Sequence, residues 1–258
     1  MTRRLEHKTA LVTGSTSNIG RAIAIAFAAE GAHVIVSGRD DARGRAVVAR
    51  IRDAGGTADY ARAELDGAAA SQALAAEAAG LLGGHVDILV NNAGVFPAAG
   101  TLATDEETFD RVYGVNVKAA FFLTQALVPA MIRDGGGVII NLGSWVARLA
   151  PPAGIVYGSS KGAVESLTRA WAAEFGPVGI RVNALSPGVI QPPDWDPAAE
   201  YPGAVFMRGT PAGTTGHPDA IAAAAVFLAS EEAAFAQGAV LDIDGGRANV
   251  LSAAGYSG

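Results

Sequence analysis

Residues 9–20, TALVTGSTSNIG, join a short apolar run to an amphipathic one through a turn that contains glycine. The first four residues are typical of a buried strand, whereas Ile19, Ile23 and Phe27 recur every four residues, as on one face of a helix. A turn from strand to helix directs backbone N–H groups and the positive end of the helix dipole towards an anion. On its own, the stretch is compatible both with a phosphate-binding turn and with an ordinary capped turn.

The same alternation of apolar strands and Ala-rich helices continues along the chain, which is the pattern of a parallel sheet with crossover helices. The helical patterns lie at about 19–30, 41–54, 68–82, 105–133, 155–175 and 218–229. The strand candidates are TALVTG, HVIVSG, ADYARAEL, VDILVNN, GVIINLGS, IRVNALSPG and AVLDIDGG. We therefore predict one α/β domain over residues 1–258: a doubly wound, Rossmann-type, parallel seven-stranded sheet with helices on both faces.

One stretch interrupts this alternation. Residues 191–217 are rich in proline and glycine and are too long for an ordinary connection in a compact domain. Segments of this kind are usually lids or binding loops, so we expect a substrate lid at about residues 189–217.

Composition and charge argue against several other kinds of protein. The chain has no cysteine and four histidines, so disulfides and thiolate metal sites are excluded and no metal site is expected. A net charge of −6 argues against a nucleic-acid partner. No uninterrupted apolar stretch reaches about 18 residues, and the first ten residues do not resemble a signal peptide, so no membrane association is expected. We expect a cytoplasmic protein that acts on a small molecule.

The residues of the glycine turn suit a phosphate group. Gly14 allows a tight turn and Gly20 allows the helix to approach the strand, while hydroxyl donors are supplied by Ser15, Thr16 and Ser17. Asn18 stands where glycine is easier, but asparagine is one of the few other residues that tolerate a positive φ. We expect the turn to keep its shape, with Asn18 either contacting the ligand or crowding it.

Tyr157 and Lys161 are four residues apart within a predicted helix, so their side chains share a face. A neighbouring ammonium group stabilises a phenolate and lowers the pKa of a tyrosine, which suits general acid–base chemistry. The alternative is a half-buried tyrosine beside a solvated lysine, because such a pair also arises by chance. Ser144 and the stretch 91–94 end two predicted strands, and doubly wound sheets bind ligands at the carboxyl ends of their strands.

Together, these motifs resemble those of the short-chain dehydrogenase/reductase family over about residues 5–248. The matching stretches, in order, are TGSTSNIG, NNAG, GVNVKAAFF, INLGS, YGSSK, RVNALSPG and LDIDGG. The resemblance implies a catalytic tetrad in which Tyr157 is the general acid or base and Ser144 binds the substrate oxygen. Lys161 would lower the pKa of the tyrosine and bind the ribose, and Asn116 would hold a water in a proton relay. For Asn116, a role in bending the helix is the alternative.

The activity implied by this resemblance is hydride transfer between a nicotinamide cofactor and a secondary alcohol or carbonyl compound, as in 3-oxoacyl reductase-like members. The alternatives are an NAD-linked sugar or polyol dehydrogenase and a non-catalytic dinucleotide-binding protein. Members of the family usually form tetramers through the helices that correspond to 105–133 and 155–175. The resemblance therefore implies a homotetramer, or failing that a homodimer.

The end of the second predicted strand indicates which nicotinamide cofactor is preferred. Where NAD-using relatives carry a carboxylate, this chain has Gly38 followed by Arg39, and a guanidinium suits the 2′-phosphate of NADP(H). NADP(H) is therefore expected ahead of NAD(H), the alternative being that Asp40 or Asp41 bends back to the ribose. The cofactor-binding residues implied by the resemblance are Gly14, Ser15, Thr16, Ser17, Asn18, Ile19, Gly20, Arg39, Glu64, Leu65, Asn92, Ala93, Gly94, Tyr157, Lys161, Pro187, Gly188 and Ile190.

Aromatic side chains near the predicted site favour an apolar substrate pocket. The expected substrate contacts are Ser144, Trp145, Phe96 and Trp195. The alternative is that the aromatic residues of the lid only pack it onto the domain. Arg148 and Arg208 are candidates for binding a substrate carboxylate, although neither is convincingly placed.

Overall fold

The computed structural model describes residues 3–149, 151, 154–196 and 198–250, and it confirms the predicted alternation of strands and helices. The strands are β1 (Thr9–Val12), β2 (His33–Gly38), β3 (Thr57–Arg62), β4 (Ile88–Asn91), β5 (Gly137–Leu142), β6 (Ile180–Pro187) and β7 (Val240–Ile243). The helices are α1 (Asn18–Ala29), α2 (Asp41–Asp53), α3 (Ala68–Leu81), α4 (Glu106–Tyr113), α5 (Ala119–Arg133), α6 (Ile155–Phe175) and α7 (Pro218–Ala229).

The strands form one parallel sheet in the order β3-β2-β1-β4-β5-β6-β7. In the register of the central strand, Ala10 of β1 pairs with Val34 of β2 on one side and with Ile88 of β4 on the other. Because the strand order reverses between β1 and β4, the connections that leave these strands diverge and open a crevice at the carboxyl edge of the sheet. The predicted doubly wound fold is confirmed.

Helices cover both faces of the sheet, and this is why its strands are nearly continuous apolar runs. Ala10 and Val12 of β1 belong to a buried cluster with side chains of α1, α2 and α7. Leu11, between them, points to the opposite face and belongs to a second cluster with side chains of α3, α5 and α6. The strand ends that carry the site therefore extend from a fully buried support.

The helix predicted at 105–133 is not continuous. A π-helical turn, Gly114–Lys118, separates α4 from α5 and contains Asn116. By length and composition alone, the helical stretch Glu106–Arg133 is long and apolar enough to cross a membrane, with a mean hydropathy of 1.5 in its most apolar window. Its buried residues Leu123 and Leu127 pack in the core with α3 and the sheet, as in a core helix of a folded domain.

The stretch that was expected to form a lid has little regular structure. Its described residues contain one 3₁₀ turn, Pro202–Met207, and a bridge between Ile190 and Gly216 closes its base. Met207 is 2% exposed and packs near the backbone that follows β7, so this side chain anchors the segment to the domain. A role as a substrate lid stays a prediction.

Candidate active site

A cleft of about 890 Å³ opens at the carboxyl edge of the sheet, where the connections after β1, β4, β5 and β6 meet. Most of the predicted site residues line it, but Ser15, Asn116 and Trp195 do not. The predicted residues that do line the cleft are Gly14, Thr16, Ser17, Asn18, Ile19, Gly20, Arg39, Glu64, Leu65, Asn92, Ala93, Gly94, Phe96, Ser144, Trp145, Tyr157, Lys161, Pro187, Gly188 and Ile190.

The glycine turn after β1 is fixed by the loop after β4. The Thr13 hydroxyl accepts hydrogen bonds from the backbone N–H groups of Asn92 and Ala93, each at 3.0 Å. In return, the Asn92 amide donates to the carbonyl oxygens of Thr13, at 2.7 Å, and Gly14, at 3.1 Å. Gly14 has a φ of 63°, and a Cβ there would lie 2.9 Å from the Cα of Ala93. Asn92 thus contributes to the site by holding two loops together.

Contrary to the prediction, Ser15 does not offer its hydroxyl to the cleft. The side chain is fully buried, donates to the carbonyl oxygen of Val12 at 2.6 Å, and accepts from the backbone N–H of Ser37 at 2.9 Å. The backbone N–H of Ser15 donates to the carbonyl of Ser37 at 2.9 Å. These bonds tie the glycine turn to β2, so Ser15 shapes the turn and is not available to a phosphate.

Asn18 begins α1 with a φ of 43°, the left-handed conformation that asparagine tolerates and glycine adopts most readily. Its Oδ1 is buried without a hydrogen-bond partner among the described residues, and the Ser17 side chain at the N-cap makes no capping bond. Gly20 is essential for the packing, because a Cβ there would lie 2.5 Å from the carbonyl oxygen of Gly14. The turn keeps its shape and leaves polar groups at the helix N-terminus for an anion.

The end of β2 lies close to the glycine turn. A Cβ on Gly38 would lie 2.7 Å from the Cγ2 of Thr16, so a larger residue there requires the Thr16 side chain to move. The next residue, Arg39, is exposed, lines the cleft, and forms no ion pair with another of the described residues. The end of β2 therefore presents a guanidinium to the cleft, whereas the acidic residues that line the cleft, Glu64 and Asp66, come from the loop after β3.

The two aspartates that follow are already engaged elsewhere. Asp40 caps α2, accepting from the backbone N–H of Arg43 at 3.0 Å and from its guanidinium at 2.7 Å, and these bonds lower the pKa of the Asp40 carboxyl. Asp41 accepts from the Tyr60 hydroxyl at 3.3 Å and forms ion pairs with Arg45 and Arg62. Neither carboxylate is placed to bind a ribose, which counts against that alternative.

Three polar side chains meet deeper in the cleft. Ser144 follows β5 as the N-cap of a 3₁₀ turn, whereas Tyr157 and Lys161 lie on the first two turns of α6. The Lys161 ammonium is 5% exposed, donates to the carbonyl oxygen of Leu142 at 2.7 Å, and lies 5.7 Å from the centroid of the Tyr157 ring. The hydrogen bond to Leu142 therefore holds the lysine beside the phenol, and the lysine side chain is buried.

The protonation of these groups is set by burial. Burial raises the pKa of the Tyr157 phenol, and the hydrogen bond with the Ser144 hydroxyl opposes this rise. Burial also lowers the pKa of Lys161 to about 8, although the Glu165 carboxylate opposes that shift. The expected lowering of the tyrosine pKa by Lys161 is not seen in this state, because the ammonium is directed to the Leu142 carbonyl. The phenol is a neutral proton donor.

Asn116 supports the cleft from outside. Its Oδ1 accepts from the backbone N–H of Val95 at 2.8 Å, and its Nδ2 donates to the Val95 carbonyl at 3.0 Å and to the Ser160 hydroxyl at 3.0 Å. The side chain is 2% exposed and has no amide group free to face the cleft. The contacts join the loop after β4 to α6, so the side chain acts in positioning, and a role in water binding stays a prediction.

Aromatic rings form the open end of the cleft. The ring of Phe96 lies 5.4 Å from that of Tyr157, and Trp145, which is buried, lies 5.7 Å from Phe206. Tyr201 lines the same wall. The side chains of Phe206 and Tyr201 come from the 191–217 segment, so part of that segment borders the cleft.

One predicted substrate contact, Trp195, needs correction, and the two candidate arginines have other partners. Trp195 packs edge-on against Tyr201 at 5.0 Å and donates its indole N–H to the Ala199 carbonyl at 2.9 Å, so it stabilises the segment itself. The Nη1 of Arg148 donates to the Oδ2 of Asp242 at 2.8 Å. The Nη2 of Arg208 donates to the Oε1 of Glu200 at 2.7 Å on the surface. Neither arginine is among the residues that line the cleft.

The sequence prediction missed several lining residues. Val95, Val115 and Val189 border the cleft through elements already assigned to it. Arg111 also lines it from α4, one helical turn and a half before Asn116. No pattern in the sequence indicated that Arg111 faces the cleft, because the next lining residue on this helical stretch, Val115, lies in the π turn that follows α4.

The chain is similar to enzymes of known name over nearly its whole length. A family model described as enoyl-(acyl carrier protein) reductase matches residues 14–248. The galactitol 2-dehydrogenase (L-tagatose-forming) of Cereibacter sphaeroides is 41% identical over 255 residues, which cover 94% of this chain and 96% of that protein. The 3-oxoacyl-(acyl-carrier-protein) reductase of Thermotoga maritima is 36% identical over 244 residues, with 94% of this chain and 98% of that protein covered.

Solved structures share the fold as well. A gluconate 5-dehydrogenase from Burkholderia cenocepacia, in complex with NADP and tartrate, superposes with a TM-score of 0.88 and 33% sequence identity. The match covers 97% of this chain and 98% of that one.

Proposed function

Since the chain belongs to the short-chain dehydrogenase/reductase family, we propose that it is an NADP(H)-preferring enzyme that interconverts carbonyl compounds and secondary alcohols with apolar substituents. The relatives are dehydrogenases and reductases, which makes the chain an alcohol dehydrogenase or carbonyl reductase and disfavours a non-catalytic role. The proposed reaction and substrate class rest on one observation: Ser144, Tyr157 and Lys161 line the same cleft beside a wall of aromatic side chains.

The residues of the cleft fit a nicotinamide dinucleotide. The glycine turn suits its pyrophosphate, because the N-terminus of α1 has no side-chain cap and its backbone N–H groups can donate to phosphate oxygens. Leu65 and Val115 supply apolar contacts for a planar base, and the cleft continues from there to Tyr157. When bound, the nicotinamide supplies or accepts the hydride.

The chain's own residues then handle the oxygen of the substrate. In the reductive direction, the Ser144 hydroxyl donates a hydrogen bond to the carbonyl oxygen and stabilises the charge that develops there. Tyr157, which is neutral because burial raises its pKa, gives its proton to that oxygen. The Lys161 ammonium beside the ring stabilises the phenolate that remains. In the oxidative direction, the phenolate removes the proton of the alcohol.

Arg39 supports the preference for NADP(H). It is the cation at the end of β2, where the chain has Gly38 in place of a carboxylate and where Asp40 and Asp41 have other partners. A guanidinium binds the 2′-phosphate of NADP(H) through two parallel hydrogen bonds and has no corresponding partner in NAD(H).

The Arg39→Ala variant tests this preference. We expect its Kd for NADPH to rise by about tenfold or more, since a hydrogen bond to a charged group contributes on the order of 1.5–3 kcal/mol. The Kd for NADH should change less than about twofold. Fluorescence titration of wild type and variant with each nucleotide measures both constants, and Arg43→Ala, whose guanidinium binds Asp40, serves as the control. An equal change for NADPH and NADH would contradict the assignment.

The substrate end of the cleft favours apolar groups next to the carbonyl. Phe96, Trp145 and Phe206 surround the approach to Tyr157. Arg148 and Arg208, the candidates for binding a substrate carboxylate, form ion pairs with Asp242 and Glu200. A panel that includes an aryl alkyl ketone, a 3-oxoacyl thioester and galactitol tests this proposal with both cofactors. We expect kcat/KM to be about tenfold or more higher for the aryl ketone than for the polyol.

A polyol dehydrogenase is the second candidate, because the galactitol 2-dehydrogenase is 41% identical to this chain. Faster oxidation of galactitol than reduction of the aryl ketone in the same panel would favour that alternative. The same result would overturn the proposed apolar substrate class.

Assembly and location are further parts of the proposal. Phe121 of α5 is 39% exposed and packs against Phe122 and against Trp171 of α6, so these helices keep an apolar outer surface. A surface of this kind suits contact with a second copy of the chain, and we propose a homotetramer that works in the cytoplasm.

A further inference from the structure

Glu165 is a buried carboxylate that the proposed reaction does not use. It lies on α6 one turn after Lys161 and two turns after Tyr157, so the three ionisable side chains share one face of the helix. Glu165 is 6% exposed, and its Oε1 would be 2.9 Å from a Cβ placed on Gly143, directly behind the turn that presents Ser144. That oxygen has no hydrogen-bond partner among the described residues.

The charges around Glu165 come from three elements. Arg148 approaches from the turn after β5 and Arg169 from α6, and both stabilise the carboxylate, whereas Asp242 of β7 opposes it. Arg148 is also influenced by Asp244, but its direct partner is Asp242. Burial outweighs the two arginines and raises the pKa of Glu165.

Lys161 is the buried cation that lacks a carboxylate partner of its own. Its ammonium is bound to a neutral carbonyl, that of Leu142, and Glu165 is the group whose charge opposes the effect of burial on it. Side chains four residues apart on a helix have Cβ atoms about 6 Å apart, close enough for charges to interact strongly in a low dielectric. A buried charge that is left uncompensated is costly, and the Glu165 carboxylate on the same helix face offsets part of that cost for the Lys161 ammonium.

We propose that Glu165 is a positioning residue for the reaction, which keeps Lys161 protonated beside the Tyr157 phenol and supports the Gly143–Ser144 turn from behind. The electrostatic coupling of Glu165 to Lys161 is a property of the protein without ligands. Its consequence for turnover rests on the proposed function.

Nuclear magnetic resonance can follow this coupling directly, because the chain has three lysines: Lys8, Lys118 and Lys161. Protein labelled with [ε-¹³C]lysine is titrated without cofactor, and the Lys161→Met variant identifies the Lys161 signal. In the wild type we expect that signal to titrate near pH 8. In Glu165→Gln the midpoint should fall by about one unit or more, since the opposing charge is gone. In the control Glu174→Gln, an exposed site on the same helix, it should stay unchanged.

A midpoint in Glu165→Gln that matches the wild type would overturn the proposal. If Glu165→Gln does not fold, as judged by circular dichroism, the double variant with Lys161→Met should fold, because it leaves no uncompensated ammonium. Failure of that rescue, with Lys161→Met itself folded, would equally overturn the coupling.

The dependence of kcat/KM on pH supplies the second readout. Lys161 loses its charge as pH rises through about 8, so the kcat/KM of the wild type should decrease above about pH 8. In Glu165→Gln, kcat/KM should fall at a lower pH than in the wild type, by as many pH units as the titration midpoint of the lysine signal decreases. Glu174→Gln should keep the wild-type pH profile. If the wild type turns over no substrate, the proposed function fails, but the lysine titration still decides the role of Glu165.

Discussion

The Tyr157→Phe variant is expected to lose about 10²–10⁴-fold in kcat, which is the contribution of a positioned general acid. The substitution removes the hydroxyl that hydrogen-bonds with Ser144 and keeps the ring that packs on Phe96 at 5.4 Å. Because the cofactor-binding turn and Lys161 are untouched, the Kd for NADPH should change less than about threefold. Steady-state kinetics and fluorescence titration measure the two quantities.

The matched control for this experiment is Tyr201→Phe, which removes the hydroxyl of a second tyrosine that lines the same cleft. We expect it to change kcat only a few-fold. Retention of near-wild-type kcat by Tyr157→Phe, or an equal loss in both variants, would contradict the assignment of the proton donor.

The second large effect is expected in Lys161→Met, which should lose about 10²-fold or more in kcat/KM because no cation then stabilises the phenolate. This lysine also leaves a signature in stability. Its pKa is lowered to about 8 from 10.5, so between these values the unfolded chain binds the proton more tightly than the folded protein. The free energy of unfolding should therefore receive a positive contribution from Lys161 as pH rises from about 8 to 10.5.

Denaturation by urea at several pH values, together with pH–rate profiles, separates these effects. Lys161→Met should lack the rise in stability above pH 8, whereas Lys8→Met, at an exposed position far from the cleft, should keep both the rise and the activity. Wild-type kcat/KM in Lys161→Met would contradict the role in stabilising the phenolate. An unchanged pH dependence of stability would contradict the lowered pKa of Lys161.

The fold was largely predictable because its signals are local. The apolar run before Gly14 and the four-residue spacing of Ile19, Ile23 and Phe27 define β1 and α1 within twenty residues. Six of the seven strands of this sheet, which is buried on both faces, are followed by a helix in the same pattern, and the handedness of crossover connections limits the order of the strands. The π turn was missed because its apolar period does not differ visibly from that of the flanking helices.

The site was less predictable where residues distant in sequence decide a side chain's partner. Ser15 and Ser17 look equivalent in the sequence, yet Ser15 turns inwards because it meets the backbone of Ser37 on β2. Asn116 faces Val95 and Ser160, which no pattern around residue 116 could indicate. The local spacing of Tyr157 and Lys161, by contrast, sufficed to place both on one helix face.

The segment at 191–217 shows the same limit. It has no period that separates its inward side from its outward side, so the sequence could not rank Trp195 and Phe206 as pocket residues, and Trp195 was selected as the substrate contact. In the structure Trp195 packs within the segment, whereas Phe206 lines the cleft and contacts Trp145. Glu165 carries a signal in the sequence, since it continues the four-residue spacing from Tyr157 and Lys161.

The central claim is that the cleft transfers a hydride between the nicotinamide and the carbon of a carbonyl group. The most direct measurement uses two forms of NADPH, each with deuterium in place of one of the two hydrogens at C4 of the nicotinamide. Each form is incubated with the enzyme and an aryl alkyl ketone, and the product is analysed by mass spectrometry. We predict an alcohol with one deuterium on the carbinol carbon from one labelled form only, and almost no product with Tyr157→Phe. An alcohol formed without deuterium from either labelled form would contradict direct hydride transfer at this site.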